Sequence, residues 1–335
     1  MKTAILTAQQ ILDLRNALFG REIVVCNGGG VDSTAVLVAL HAAGITPRVI
    51  TFADTGAEKA ATYAHIERFQ AVLDSWRFPR TTTVKKIPLA TTGYSNLEGN
   101  CVDNETLPSL AFGMKSCSIK WKQDPQDYFI KGCKSGPNAC APHAIWSETQ
   151  ARGERIVKLI GYDAGKADLR RSSKVKSADA DFDYVYPLQI LGWTRAQCVK
   201  AIIQELGVDF VPIKSACFFC PASKAWELFW LAAHEPELFE RALVMERTAL
   251  TGHHSRFSEV EFGDTWENMV KTGDRFPSSN TTVGLGRSFA WNQWARVNGV
   301  VDANFKVRQE IRLELARKAD ALRGDDNALD RRACA

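Results

Sequence analysis

The sequence predicts an α/β fold with a parallel, doubly wound sheet and a helical C-terminal portion. A short apolar run at 23–26 breaks into three glycines and then into a helical pattern, the strand, loop and helix order of a parallel sheet. The helix that follows, 35–43, is almost wholly apolar, as expected for a helix buried against such a sheet. Further short apolar runs at 48–52 and 155–162 alternate with helical patterns, which favours the same fold class.

Length and charge narrow the choice of protein class. The chain has 335 residues and a net charge of +4. This length suits one large α/β domain with a helical addition or two units, which we divide at 1–210 and 211–335. No apolar run reaches the roughly 20 residues of a membrane span, and the N-terminus lacks a signal-peptide layout, so we expect a cytoplasmic protein without membrane association. The mild positive charge permits a nucleic-acid partner without arguing for one.

The first half of the chain alternates helices and strands around one irregular stretch. An amphipathic helix is predicted over 7–19 with Thr7 as its N-cap, and a third strand over 81–87. A helix also precedes this strand and ends near Trp76. The Gly-, Asn- and Ser-rich stretch 90–115 lacks a clear period. We expect it to be a long loop over the active-site face, where it can hold substrate or form a plain surface excursion.

Helices dominate the second half. They are predicted at 124–131 and at 194–206, the latter with Thr194 as N-cap. The aromatic-rich stretch 226–247 is expected to be helical, with Trp226, Phe229 and Trp230 in the core and Pro236 starting a second helix. The last helix, 304–323, alternates charge signs and is expected to be solvated.

The glycine-rich stretch after the first strand is the strongest functional signal. Glycines let peptide N–H groups approach a ligand closely, and amides at a helix N-terminus hold phosphate without a lysine. A Walker loop would end in Gly-Lys-Ser or Gly-Lys-Thr, and a dinucleotide fingerprint reads Gly-x-Gly-x-x-Gly; this loop has neither. The second strand opens into Asp54 and Thr55, which are expected beside the nucleoside because ligands lie beyond the carboxyl ends of such strands. The predicted nucleotide-binding residues of the loop are Asn27, Gly28, Gly29, Gly30, Asp32, Ser33 and Thr34.

Cysteines form a second candidate site. Nine cysteines without a secretory signal imply reduced thiols, so their clustering indicates metal or redox chemistry. The Cys217-x-x-Cys220 turn can present two thiolates to one metal, and Cys117 can come near it at one sheet edge. Zinc takes four ligands and an iron–sulfur cluster three or four thiolates, so both stay open, as do a buried reduced pair and a structural zinc clip. Cys101 and Cys133 are candidates for a fourth thiolate, while Cys133 and Cys140 by themselves match no metal pattern.

Basic and glycine-rich segments give weaker signals. Lys115, Lys120 and Lys122 face either substrate or solvent, and the basic stretch 166–176 contains Arg170 and Arg171. Three further features are of low specificity. They are the pair His253 and His254 as possible metal ligands, the run Gly284-Leu285-Gly286-Arg287-Ser288 as a possible phosphate contact, and Cys334 in a polar tail.

These motifs, in this order, resemble the PP-loop ATP-pyrophosphatase superfamily and its PAPS-reductase-like branch. The glycine loop resembles Ser-Gly-Gly-x-Asp-Ser, with Asn27 at the front and one extra glycine. The stretch 54–62 resembles Asp-Thr-Gly-x-Glu-x-x-x-Thr, and 117–120 resembles Cys-x-x-Lys, with Lys115 where the family often has arginine. The strand followed by two arginines resembles Gly-x-x-Ala-x-Glu-x-x-Arg-Arg, from which Asp163 and Ala164 depart. A Tyr-Pro-Leu and Trp-Thr segment at 186–194 and the Cys-x-x-Cys-Pro turn complete the resemblance, which covers about 22–247.

The resemblance implies a PP-loop, Rossmann-like fold and two enzyme classes. One is an ATP-dependent sulfurtransferase that adenylates an acceptor, releases pyrophosphate and uses a sulfur nucleophile to displace AMP. The other is an adenylyl-sulfate (APS or PAPS) reductase, whose mobile Glu-Cys-Gly-x-His-like tail is replaced here by 333–335, Ala-Cys-Ala. A non-enzymatic nucleotide-binding protein is a third possibility. The sulfur donor, the acceptor (tRNA, DNA or a small molecule) and the oligomeric state stay open.

The resemblance also implies cofactors and site residues. The cofactors are ATP, magnesium and a four-iron, four-sulfur cluster, with zinc as the alternative metal. The implied catalytic residues are Asp32, Ser33, Lys120, Arg170 and Arg171, and the implied metal ligands are Cys117, Cys217 and Cys220.

Overall fold

A five-stranded sheet forms the centre of the computed structural model, which describes residues 4–173, 180–251, 284–287 and 289–332. Every strand pair is parallel, and the strand order is β3-β2-β1-β4-β5. The predicted α/β class with a parallel sheet is confirmed. The strands are β1 Ile23–Cys26, β2 Val49–Asp54, β3 Thr81–Lys85, β4 Ile156–Ile160 and β5 Phe182–Val185.

The strand order reverses between β1 and β4. The chain builds outward from β1 to β2 and β3, and then returns to the other side of β1 to add β4 and β5. In register, Val25 lies between Ile50 of β2 and Leu159 of β4. The loops that leave β1 and β4 therefore diverge to opposite faces of the sheet. The crevice between them is where open α/β sheets bind ligands.

Helix α1, Ala8–Leu18, precedes β1. Helix α2, Val31–Ala43, follows β1, and helix α3, Ala60–Ser75, follows β2. The predicted cap of α1 is confirmed, since the Thr7 hydroxyl accepts a hydrogen bond from the Gln10 N–H at 3.2 Å. As predicted, α2 is buried over most of its length, because apolar residues occupy all of its faces. It ends at Gly44 in the left-handed conformation, with φ of +66°.

The prediction of a long loop over 90–115 is wrong. The structure has 3₁₀ turns at Ala90–Thr92 and Ser109–Phe112 and a helix α4 at Leu97–Asp103. Asn96 begins this helix by accepting a hydrogen bond from the Gly99 N–H at 2.7 Å. Leu97 and Cys101, four positions apart, are both buried, so a single helical repeat was too short to show as a period in the sequence.

The middle of the chain is largely helical. A continuous helical run starts at Ser116–Ser118, passes through a π-helical turn at Ile119–Gln123 and ends in the predicted helix α5, Asp124–Lys131. Thr194 is the N-cap of its helix as predicted, and both its N–H and its hydroxyl donate to the Gln197 side-chain oxygen, at 2.7 and 2.9 Å. The remaining helices of this part are α6 Ala144–Ala151, α7 Lys166–Ser172, α8 Pro187–Ile190 and α9 Arg195–Leu206.

The C-terminal portion consists of α10 Ala225–His234, α11 Pro236–Thr251, α12 Trp291–Val297 and α13 Arg312–Arg332. The core roles of Trp226 and Phe229 are confirmed, and Trp230 is half-buried. The expectation of a solvated last helix over 304–323 is wrong in two respects, the residue at which the helix begins and the burial of one of its faces. The helix begins at Arg312, and Leu315 and Ala319 are buried against α10, since two residues four apart suffice for a packed stripe.

Hydrophobic packing connects the parts of the chain on either side of residue 210. One cluster lies between the sheet and α1 and α2. A second cluster combines the C-terminal helices with Ala57, Leu97, Cys101 and Trp121 from the first half of the chain. Within the described ranges, none of the helices has the length and apolar character needed to cross a bilayer.

Candidate functional site

Four segments that are distant in sequence meet at the carboxyl edge of the sheet. We call them the phosphate loop (27–34), the Asp-Thr-Gly loop (54–58), the lysine segment (114–122) and the cysteine turn (217–220). Cys217 forms an antiparallel bridge with Glu58, and the Phe218 N–H donates to the Ala57 carbonyl at 3.0 Å. A Cβ atom on Gly30 would lie 2.6 Å from the Ser215 hydroxyl oxygen, so the chain leading into the cysteine turn crosses the phosphate loop.

The phosphate loop is fixed by two short-range constraints. The Asn27 carboxamide oxygen accepts a hydrogen bond from the Gly29 N–H at 2.9 Å. Gly29 has a φ of +68°, and a Cβ atom there would lie 3.0 Å from the Thr62 methyl group on α3. Only glycine satisfies both the dihedral angle and the close approach. The loop is therefore held between β1 and α3 in one conformation.

The amide groups of the loop point to an anion site. Among the described residues, no partner is found for the backbone N–H groups of Gly28, Val31, Asp32 and Ser33. They lie at the start of α2, a helix of 13 residues whose dipole favours negative charge at this end. The geometry can hold a phosphate group at the β1 edge of the crevice.

The hydroxyl groups of Ser33 and Thr34 already have partners within the protein. The Ser33 hydroxyl donates to the Gly30 carbonyl at 3.1 Å and accepts from the Gly30 N–H at 3.2 Å. The Thr34 hydroxyl lies 3.0 Å from His65 Nε2. The backbone N–H of Thr34 donates to the Gly30 carbonyl at 3.0 Å. Thr34 is buried, and its hydroxyl is already in contact with His65.

Three carboxylates gather where the strand order reverses. Oxygen atoms of Asp32, Asp163 and Asp168 lie within 4.8 Å of one another. Arg195, the first residue of α9, approaches Asp32 Oδ2 at 2.7 Å and Asp163 at 3.9 Å. The other Asp32 oxygen, Oδ1, is buried without a partner in the described part of the chain. Burial raises the pKa of Asp32 to about 7, against the opposing effect of Arg195.

Sequence reasoning missed Gly161 and Arg195 in this group. A Cβ atom on Gly161 would lie 2.8 Å from the Ser33 backbone nitrogen, so this glycine lets the end of β4 approach the start of α2. Gly161 is the glycine of the Gly-x-x-Ala-like element, a signal that was available. Arg195 follows the capping residue Thr194, and no pattern in the sequence links it to Asp32.

Asp54 shapes its loop, and Thr55 contacts the cysteine turn. Asp54 Oδ1 accepts hydrogen bonds from the Tyr63 hydroxyl at 2.5 Å and the Gly56 N–H at 2.7 Å, while Lys85 lies 2.8 Å from Oδ2. Burial raises the pKa of Asp54, but these three donors outweigh it and hold the pKa below its usual value. The Thr55 hydroxyl lies 3.3 Å from Cys217 Sγ, so predicted nucleotide and metal residues are direct neighbours.

Charged side chains surround the two thiols of the cysteine turn. Lys122 Nζ lies 2.7 Å from Oε1 of the fully buried Glu58, whose other oxygen has no partner among the described residues. Burial raises the pKa of the Cys217 and Cys220 thiols, whereas the nearby Lys122 ammonium lowers it. Lys122 itself keeps a raised pKa despite burial, because of Glu58 and the two thiols.

A separate buried network fixes both flanks of the cysteine turn. The Lys59 ammonium donates to the Lys214 carbonyl at 3.1 Å. Glu227 accepts from the Lys214 ammonium at 2.6 Å and from the Lys224 N–H at 2.7 Å. Lys59 and Glu227 are both 1% exposed. The turn is thus anchored before and after its cysteines.

The other candidate cysteines lie in two places. Cys117 and Cys101 line a cavity of about 310 Å³ together with Lys86 and Lys120. The backbone of Cys133 instead forms an antiparallel bridge with that of Cys140 in a separate hairpin. Of the two predicted fourth ligands, Cys101 is therefore the one beside Cys117. Within the described ranges, no three thiol sulfurs lie within 4.8 Å of one another, so a three-thiolate zinc site is not preformed.

The predicted basic residues are divided between the two sides of the site. Lys120 lines the cavity, and Arg171 donates to Asp168 Oδ1 at 2.7 Å beside the carboxylates. Arg170 is exposed on α7 and donates to the Lys166 carbonyl at 3.2 Å. Several candidates lie outside the described residues: Lys174, Lys176, His253, His254, Ser288 and Cys334.

The glycine turn at 284–287 does not offer its amides to a phosphate. The Leu285 N–H donates to the buried carboxylate of Glu246 at 2.6 Å, and the Trp291 N–H donates to the same oxygen at 2.8 Å. The amides of Gly286 and Arg287 donate to carbonyl groups of the turn itself. The amides of Leu285, Gly286 and Arg287 therefore do not support the possible phosphate contact of this run, since a glutamate of α11 and the turn's own carbonyl groups already accept their hydrogen bonds.

Comparison of the chain with protein-family models and with curated proteins gives no match. The inference of function consequently depends on the site geometry and on the motifs of the sequence.

Proposed function

We propose that this protein is a PP-loop ATP pyrophosphatase that adenylates an acceptor, releases pyrophosphate and supports sulfur transfer to that acceptor. One observation carries the proposal. The cysteine turn pairs directly with the Asp-Thr-Gly loop, and the chain leading into it crosses the phosphate loop at Ser215, so the candidate ATP site and two thiols lie side by side. An enzyme that activates an acceptor and then delivers sulfur to it needs these two functions side by side.

The ATP phosphates are proposed to bind the free amides at the start of α2. This position supplies donors and helix dipole to the leaving pyrophosphate, whose negative charge grows as the bond to the α-phosphorus breaks. The acceptor oxygen forms the new bond to the α-phosphorus, and pyrophosphate leaves with the electron pair of the broken P–O bond. Arg195 is available to balance the added charge, since it already faces Asp32 at 2.7 Å.

The carboxylate group fits a magnesium ion. Oxygen ligands suit this cation, and Asp32 Oδ1 is buried without a partner among the described residues, within 4.8 Å of the Asp163 and Asp168 oxygens. Asp32, with Asp163 or Asp168, would hold the ion. Magnesium bound there would neutralise polyphosphate charge.

We propose an iron–sulfur cluster as the cofactor of these cysteines, with zinc as the alternative metal. Thiolates on a single zinc, with Zn–S bonds of about 2.3 Å, must lie close together, whereas a cluster accepts thiolates that are farther apart. Cys217 and Cys220 would supply two ligands, and Cys117 packs against the same hydrophobic cluster as Cys217. With three thiolates, a bound cluster would keep one iron open for sulfide. With a fourth thiolate, it would supply structural and electrostatic support instead.

Pyrophosphate release from ATP is the first test and also distinguishes an enzyme from a nucleotide-binding protein. In the nucleotide complex the Ser33 hydroxyl is proposed to donate to a phosphate oxygen in place of the Gly30 carbonyl. Ser33→Ala should then weaken nucleotide binding by at most about 1.5 to 3 kcal/mol, the value of one charge-assisted hydrogen bond. Ser75→Ala is the matched control, because Ser75 makes a similar bond to a helix carbonyl away from the site. Gly29→Val should abolish binding, whereas Gly20→Val changes a positive-φ glycine with open space around it. Unchanged nucleotide affinity in both site variants would refute the proposed ATP site.

Iron and zinc content of anaerobically purified protein tests the cysteine assignment. Serine variants of Cys117, Cys217 and Cys220 should lose iron. Loss of iron in Cys101→Ser as well would indicate four thiolates, and retention would indicate an open iron. Cys133→Ser should keep its iron, because Cys133 lies in the separate hairpin. Stoichiometric zinc without iron would reject the cluster.

The acceptor class is tested by salt dependence. If the acceptor is tRNA or DNA, affinity should fall steeply with salt, because each neutralised phosphate releases counterions. Removing the charges of Arg170 and Arg171 should then flatten the slope. Affinity for nucleic acids that does not change with salt would favour a small-molecule acceptor.

A further inference from the structure

A short hairpin outside the candidate site brings two accessible cysteines directly opposite each other. Cys133 and Cys140 form its antiparallel pair. The Cys133 N–H donates to the Cys140 carbonyl at 2.9 Å, and the Cys140 N–H donates to the Cys133 carbonyl at 3.0 Å. Residues that exchange both backbone bonds have Cα atoms about 5.5 Å apart and side chains on one face. This separation falls in the usual range for a disulfide.

We infer that Cys133 and Cys140 are a redox modification site, at which a low-molecular-weight disulfide oxidises the two thiols to a reversible intramolecular disulfide. The inference depends only on this hairpin and not on the proposed ATP chemistry.

The hairpin is built to hold the two residues in register. Gly132, with a φ of +81°, precedes the pair, and a Cβ atom there would lie 2.9 Å from the Pro142 nitrogen. At the tip, the Ala139 N–H donates to the Gly136 carbonyl at 3.1 Å, which closes a turn with Pro137 at its favoured second position. Both ends of the hairpin are thus fixed, so the cysteines stay opposite each other.

Cys140 is the most accessible thiol among the described residues. Cys140 is exposed and Cys133 is half-buried. In contrast, burial raises the pKa of the Cys26 thiol to about 11 and that of the Cys101 thiol to about 12. A thiol must be deprotonated and accessible to attack a disulfide, so the first attack should come from the exposed Cys140 rather than from Cys26 or Cys101.

The geometry of the hairpin favours a Cys133–Cys140 disulfide that is readily reduced over a permanent one. Cβ atoms of a hydrogen-bonded pair lie farther apart than the roughly 3.8 Å typical of a disulfide, so closure strains the hairpin. In the reduced protein, the Cys133 thiol points to the Ser135 carbonyl at 3.3 Å and the Cys140 thiol to the Tyr128 carbonyl at 3.2 Å. Oxidation requires both side chains to leave these acceptors. Strained, exposed disulfides are the readily reduced ones.

The reaction balances as two thiol–disulfide exchanges. The Cys140 thiolate attacks the small disulfide, its S–S bond breaks, and one small thiol leaves. The Cys133 thiolate then attacks the Cys140 sulfur and releases the second small thiol. The protein loses two protons and two electrons, and the small disulfide gains both.

The hairpin is also connected to the sheet. The Asn138 side chain accepts from the Ile87 N–H at 2.8 Å and donates to the Ile87 carbonyl at 2.8 Å. Ile87 follows Lys86, which lines the cavity beside Cys117. Closure of the disulfide should therefore slow hydrogen exchange at Ile87 as well as within the hairpin.

Glutathione redox buffers applied to the full-length protein test the inference. After rapid alkylation, peptide mass spectrometry should find Cys133 linked to Cys140 in oxidised buffer and both thiols free after dithiothreitol. In Cys133→Ser, Cys140 should accumulate as the mixed disulfide with glutathione, because the resolving thiol is absent. Cys198→Ser, at a buried cysteine, should behave like the parent.

Two results would overturn the inference. One is a parent protein in which Cys133 and Cys140 each carry glutathione without a link between them. The other is a pair that stays reduced or links to different cysteines in oxidised buffer while circular dichroism reports a folded chain. Equal exchange at Ile87 in the two redox states would reject the connection to the sheet.

Discussion

Replacing Asp32 by asparagine should stabilise the ligand-free protein at alkaline pH while abolishing pyrophosphate release. Asp32 is largely buried, one of its oxygens lacks a partner in the described structure, and Asp163 and Asp168 lie nearby. These features raise its pKa from 3.8 to about 7, burial being the largest cause. The folded protein therefore keeps the Asp32 proton at pH values where the unfolded chain has lost it.

The sign and size of the effect follow from proton linkage. Because the folded state binds more protons, the free energy of unfolding decreases as pH rises from about 4 to about 7 and stays low above that. The gap between the ordinary pKa of 3.8 and the value of about 7 corresponds to about 4 kcal/mol at most. Between pH 5 and pH 8.5 the same relation gives a loss of about 2.7 kcal/mol. Asp32→Asn removes the titrating group and should remove this loss.

Urea denaturation of parent and variant at several pH values, without nucleotide or magnesium, measures the difference. The stability gain of Asp32→Asn over the parent should grow by about 2.7 kcal/mol from pH 5 to pH 8.5. Asp54→Asn is the control, because hydrogen bonds from Tyr63 and Gly56 and the nearby Lys85 hold the pKa of Asp54 below its usual value. It should lower stability across the range. Parallel pH profiles for the parent and Asp32→Asn would refute the burial argument.

Three further predictions concern stability and are read from denaturation midpoints. Lys122→Met should cost about 3 to 5 kcal/mol, because it leaves the buried Glu58 carboxylate unpaired, and the additional change Glu58→Gln should recover part of the loss. Thr34→Val should cost about 1 to 3 kcal/mol by removing the His65 partner, whereas Thr34→Ser should cost less; equal losses would argue against the hydrogen bond. Glu246→Gln should cost about 3 kcal/mol or more, since each carboxylate oxygen accepts two hydrogen bonds and an amide nitrogen accepts none. A smaller loss would mean that the turn at 284–287 has other support.

The parts of the site that sequence analysis predicted well are local in the chain. A strand, a glycine loop and a buried helix occupy one continuous stretch, so the position of Gly29 at the start of α2 could be inferred directly. The two thiols of the cysteine turn are likewise separated by two residues. Short-range patterns carry this information because backbone angles and helix starts depend on neighbouring residues.

The contacts that sequence analysis missed join distant segments. Arg195 faces Asp32 from another helix, and Lys122 faces Glu58 across the sheet edge. A single sequence contains no signal for such pairs, since any lysine or arginine could be a solvated surface charge. The misread stretch 90–115 fails for a different reason, because α4 is too short to show a period.

Two glycine-rich stretches in this chain precede helices. The phosphate loop is the strongest functional signal of the sequence, and the run at 284–288 is a possible phosphate contact of low specificity. At 284–287 the amides meet Glu246, a carboxylate on α11 that is fixed by the C-terminal helices. At the phosphate loop the nearest carboxylate, Asp32, turns to Arg195, and the amides of Gly28, Val31 and Ser33 keep no partner among the described residues. The phosphate loop runs directly into α2, with Gly30 as its N-cap, whereas the turn at 284–287 ends before Ala290, the N-cap of α12. The amides of one turn are thus occupied by an internal carboxylate, whereas those of the other have no partner among the described residues. Which of the two arises depends on residues that are distant in sequence, so a single sequence does not distinguish them.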